Sequence, residues 1–139
     1  MKRLILLVML VSVLVLVAGC FPFGPESQKL DEEFKISIDD TARIKSEKLE
    51  ITFMEVIEDS RCPSDATCIW QGRVSVKLQI DDDGELYDMV LIQYGLYDGY
   101  DTETYEEYTF TYKVEPYPES DKGIKSRDYE LLMTVSKEE

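Results

Sequence analysis

From residue 34 onward, apolar and polar residues alternate with a period of two. Phe34, Ile36 and Ile38 alternate with Lys35, Ser37 and Asp39, and Leu49, Ile51 and Phe53 with Glu50 and Thr52. Successive side chains on a strand point to opposite faces, so each segment predicts a strand with one buried face. After Phe53 the phase slips by one residue, and Met54 and Val56 take over the apolar positions. Such a slip inside a strand predicts a β-bulge. Val74, Val76, Leu78 and Ile80 form the clearest alternating segment; Tyr108, Phe110, Tyr112 and Val114 form another, and Tyr129, Leu131, Met133 and Val135 close the series. Met89-Val90-Leu91-Ile92 is apolar on both sides, which predicts a central strand or one covered on both faces. The Asp83-Gly84 pair ahead of it predicts a hairpin joining strands at 73–80 and 86–94. Six or seven short strands with no helical period predict an all-β fold. The expected form is a single antiparallel β-sandwich over residues 34–139, with an immunoglobulin-like arrangement as first choice.

The chain begins differently. Lys2-Arg3 precedes an unbroken apolar run from Leu4 to Val17, then Ala18-Gly19-Cys20. A basic head, an apolar middle shorter than the roughly 20 residues of a bilayer span, and small residues at its end predict an export signal. Val17-Ala18-Gly19-Cys20 resembles the lipobox of secreted lipoproteins. That resemblance implies a signal peptide over 1–19 and Cys20 as the lipid-bearing first residue of the mature chain. A diacylglyceryl group supplies the two acyl chains that stable anchoring needs. The expected partner through Cys20 is therefore a membrane, and the expected place is the extracytoplasmic face of the cell membrane or outer membrane. Phe21, where an Asp would retain a lipoprotein at the inner of two membranes, favours the outer one. Residues 20–33 read as the lipidated cysteine and a tether, because prolines, a glycine and polar residues discourage regular structure. Fully extended, residues 21–33 would reach up to ~40 Å.

Charge narrows the partners. The sequence has 29 acidic and 15 basic residues, and loss of Lys2 and Arg3 with the signal leaves the mature chain still more acidic. This excludes nucleic acid as a partner and disfavours lying on anionic lipid through charge. There is no histidine, hence neither the commonest general base nor the commonest zinc ligand. An EF-hand alignment with Gly84 at its sixth position fails, because Gln79 and Val90 occupy the first and last ligand positions. A calcium site from Asp81, Asp83, Asp98 and Asp101 would need two loops to meet. No catalytic residue, metal or cofactor is expected. A hydrolase using paired carboxylates is the enzymatic alternative, and an unspecific one in a chain this acidic.

Cys62 and Cys68 remain once Cys20 is lipidated. An exported pair with nothing left over predicts a disulfide; the C-x5-C spacing lacks the C-x-x-C pattern of redox pairs, and two sulfurs without histidine do not complete a zinc site. Asp59-Ser60-Arg61-Cys62-Pro63, four residues, then Cys68-Ile69-Trp70-Gln71-Gly72 resembles a D-S-R-C-P-x4-C-x-W-x-G signature of small, uncharacterised exported proteins and lipoproteins. The resemblance implies fold and location and carries no activity. Arg61 is expected to pair with a carboxylate and pin the loop, and Trp70 to pack on the disulfide; alternatively, both form an exposed recognition patch. Tyr97 and Tyr100, in a segment with Gly95 and Gly99, are further candidate contacts, since tyrosine on a loop offers wide contact area with a polar tip. The expected function is a non-enzymatic binding or structural module of the cell envelope, with an envelope or extracellular protein as ligand. An inhibitor of exported peptidases is the alternative.

Overall fold

The computed structural model describes residues 25–95 and 99–138. These residues form nine strands: β1 (Glu26–Gln28), β2 (Glu33–Ser37), β3 (Thr41–Ile44), β4 (Leu49–Asp59), β5 (Arg73–Asp82), β6 (Glu85–Tyr94), β7 (Asp101–Tyr105), β8 (Tyr108–Glu115) and β9 (Glu130–Lys137). One sheet has the order β1-β3-β4-β5-β6 and the other β2-β9-β8-β7. The two pack face to face as a β-sandwich. The inward residues of the alternating segments supply the core: Phe53, Leu78, Phe110, Tyr112, Leu131 and Met133 are all fully or almost fully buried.

Two sequence expectations hold, the first with one change: Val56 packs against the core and Met54 does not. The phase slip in β4 is a register shift between Phe53 and Glu55, followed by a second between Val56 and Glu58, so Met54 and Ile57 have no partner on β5. The first shift turns Val56 inward, and the second does the same for Asp59, placing a carboxylate between the sheets. The β5–β6 hairpin turns at Asp83 and Gly84, with φ of 52° and 93°. Two positive φ angles suit the right-handed strand twist, and Asp-Gly supplies them.

Other expectations need correction. Met89–Ile92 lies on β6, an edge strand, and Val90 is 47% exposed, so the segment is neither central nor covered on both faces. Residues 26–28, expected within the tether, form β1, which pairs in parallel with β3. Tyr105 closes β7. The strand order is also simpler than the A-B-E-D and C-F-G sheets of an immunoglobulin domain. It consists of two meanders, β3-β4-β5-β6 and β7-β8-β9, with β1 and β2 added at their outer edges.

This order separates the ends of the sandwich. Tight turns join β3–β4, β5–β6 and β7–β8 at one end. The long connections 60–72, 95–100 and 116–129 gather at the other, because Asp59, Arg73, Tyr94, Glu115 and Glu130 all end or begin their strands there.

Candidate functional site

Arg61 ties the 60–72 loop to the 116–129 loop. Its side chain is almost fully buried although it is the longest cationic one available. Nε and Nη2 donate to the two carboxylate oxygens of Asp59 at 2.9 and 2.7 Å. Nη1 donates to the Val114 carbonyl at 2.8 Å, and Nη2 also donates to the Pro116 carbonyl at 2.9 Å. The guanidinium lies over the Tyr117 ring, 4.9 Å from its centroid. A buried charge is tolerable only when paired and hydrogen-bonded, and here four of five N–H groups are satisfied. Asp59 also accepts from the Tyr129 hydroxyl at 3.1 Å. Burial first, then the Asp59 charge and this bond, push the Tyr129 hydroxyl up to about 12.

The backbone completes the tie. Cys62 N–H donates to Gln71 O across the mouth of the loop, Ser64 N–H to Pro118 O, and Gly95 N–H to Gly72 O. Asp65 accepts from both the amide and the hydroxyl of Ser120 at 2.8 and 2.9 Å, which holds its carboxyl below the usual range. Cys62 and Cys68 form a disulfide with Cα atoms 5.9 Å apart. Closing so short a loop stabilises the fold by about 2 kcal/mol on the chain-entropy account. Gly72 has φ +66°, and a Cβ there would lie 1.8 Å from Ser60 O; a Cβ on Gly95 would lie 2.1 Å from Gln71 O. Both positions require glycine because the chains pass too close for any side chain.

A polar group that sequence reasoning missed closes the gap between the sheets. Gln93, buried on β6, accepts from Val114 N–H at 2.8 Å and donates to Gly99 O at 2.8 Å. Asp101, the first residue of β7, pairs with Tyr112, so β7 stops short of Val114 and leaves its N–H without a ladder partner. Gln93 supplies one from the other sheet. Tyr112 does the same in reverse, donating its hydroxyl to Ile92 O at 2.8 Å. Nothing about an isolated glutamine at the end of an apolar run signals this role.

The candidate contacts thus separate. Arg61 is 4% exposed and belongs to the interior, so it pins the loop and is not part of a surface patch. Trp70 does not pack on the disulfide. It is 81% exposed, and its neighbour Ile69 is 96% exposed. Tyr100 is half-exposed, and its hydroxyl donates to Glu33 on β2 at 2.5 Å, which places it against the four-stranded sheet. Trp70 instead projects from the loop between two strands of the five-stranded sheet, and the two side chains share no contact. Tyr97 lies outside the described residues, as do Cys20 and residues 1–19. Of the acids considered for calcium, Asp98 lies outside the described residues; Asp81 and Asp83 lie at the tight-turn end and Asp101 at the long-loop end, so these three do not converge. Among the described residues, no three Cys, Asp or Glu side chains gather as metal ligands.

No protein-family model, curated protein or solved structure matches the chain.

Within the segment 59–72, nearly every named residue has an internal task. Asp59 and Arg61 form the buried pair, Ser60 exchanges hydrogen bonds with the Arg73 backbone, the cysteines close the loop, and Gly72 permits the crossing. Trp70 has no hydrogen bond and no ring contact, and with Ile69 it stands clear of the surface on a covalently closed base.

Proposed function

We propose that this protein is a lipid-anchored, extracytoplasmic module of the cell envelope that works by contact and not by catalysis, and that its contact element is the 60–72 loop. One observation carries the reading: two large apolar side chains, Ile69 and Trp70, are presented almost whole on a loop fixed by a disulfide, a buried ion pair and an obligatory glycine. Ordering a contact residue in advance lowers the entropy cost of binding, and a tryptophan held this way is the usual centre of a contact surface. The signal-like segment and Cys20 support export and lipid attachment, and the complete absence of histidine supports a non-enzymatic role.

Oxidative footprinting on intact host membranes tests this reading. Trp70 should be protected relative to the same protein carrying Cys20→Ser, which is expected in the soluble fraction, while Tyr100 should react equally in both. Equal reactivity of Trp70 in the two preparations would refute a contact role for the loop. Membrane retention of the Cys20→Ser protein would refute the lipid anchor.

A further inference from the structure

We infer that the Ile69–Trp70 tip rests in the headgroup region of the bilayer that carries the Cys20 lipid. The inference rests on the anchored reading above and names the partner of the same loop.

Chain length and direction carry it. β1 runs parallel to β3, toward the tight-turn end, so Glu26, where the strand starts, is its residue nearest the long-loop end. Cys20 and Glu26 are six residues apart, a reach of at most about 20 Å. Glu26 pairs with Ala42, Ala42 with Ile51, and Ile51 with Ile80. From Ile80 to Val74, at the long-loop end of β5, is again six residues, about 20 Å along a strand. At its greatest reach, then, Cys20 is level with the strand ends, and residues 60–72 begin there and extend further. A lipid inserted from Cys20 leaves no room for the domain to hang clear of the membrane, and β1 aims the long-loop end at it.

The chemistry of that end agrees. In a chain with a net charge of −14, residues 60–72 carry one acid, Asp65, and one base, Arg61, which is buried. Residues 116–129 carry three acids and three bases, and residues 95–100 one acid, Asp98. Loops whose charges so nearly cancel, five acids against four bases, meet little repulsion from lipid headgroups. Tryptophan favours the membrane interface, where its ring is buried and its N–H stays hydrated, and Ile69 adds apolar area beside it.

Trp70 is the only tryptophan in the sequence, so its fluorescence reports on this site alone. Full-length lipidated protein would be reconstituted into phosphatidylcholine vesicles, with and without lipids brominated near the headgroup, and recovered by flotation. The expected result is quenching of Trp70 by brominated lipid, protection from aqueous acrylamide, and at least about a two-fold loss of that quenching in Ile69→Ser, whose exposed position leaves folding intact. Protein that floats while Trp70 stays open to acrylamide and indifferent to bromine overturns the inference and leaves the anchor standing. Shielding from acrylamide without bromine quenching indicates a protein occupant and also overturns it. Failure to float, with unmodified Cys20 by mass spectrometry, removes the anchored reading and this inference together.

Discussion

Arg61 and Trp70 lie nine positions apart and have opposite fates, which separates their mutational effects. Replacing Arg61 with Met strands the Asp59 carboxylate, 9% exposed at its side chain, and unpairs the Val114 and Pro116 carbonyls. Removing one partner of a buried pair costs about 3–5 kcal/mol, so Arg61→Met should lower the unfolding free energy by that amount in denaturant titrations. Trp70→Ala removes a side chain that touches almost nothing and should shift stability by no more than about 0.5 kcal/mol. A large loss from Trp70→Ala would mean that the ring is packed. Tyr129 sets a pH dependence for the same cluster. Its hydroxyl titrates near 12 in the folded chain against about 10 when unfolded, so its contribution is complete below pH 10 and is lost as pH rises toward 12. Tyr129→Phe should therefore be less stable than the parent at pH 7 by about 1 kcal/mol and should lose less between pH 10 and 12, as checked by thermal melts across that range.

Elements were legible where burial imposed alternation. The bulge in β4, the Asp-Gly hairpin and the tyrosine-rich β8 follow directly from the order of apolar residues. β1 was not legible, because Glu26-Ser27-Gln28 joins the sheet through backbone groups alone and buries no side chain fully. β3 offers only Ala42 and Ile44 to the core, too few positions to establish a period, and β7 is a polar edge strand. Met89–Ile92 misled because edge strands are usually protected by charge, whereas here Val90 faces outward between Lys77 and solvent. In the site, the Asp59–Arg61 pair and the disulfide were local and readable. The carbonyl partners of Arg61 lie 53 and 55 residues away, and the pairing of Gln93 with Val114 spans 21, so only the assembled sandwich reveals them. Gln93→Leu should leave the buried Val114 N–H unpaired, cost about 1–3 kcal/mol, and accelerate hydrogen exchange at that amide while exchange in β4 follows only the global change. Unchanged exchange at Val114 would show that another group serves it.

At the scale of the whole molecule, acids outnumber bases. They cluster at Asp82, Asp83, Glu85, Glu106 and Glu107 beside the tight turns, offset in part by Lys45, Lys48 and Lys137. The described ion pairs are mostly exposed, and such pairs are worth about 0–1 kcal/mol each. Self-repulsion from the net charge of −14 should outweigh them. Raising sodium chloride from about 20 to 200 mM should therefore increase the melting temperature by a few degrees, and a decrease would mean that the ion pairs dominate. The attachment of β1 has a mechanical consequence. Tension arriving from the N-terminal side runs along the strand axis, so it loads the three β1–β3 residue pairs together in shear and does not unzip them one by one. The same short strand that joins the chain to its sheet would then act as a strain relief, keeping a tug on the proposed Cys20 anchor from reaching the core.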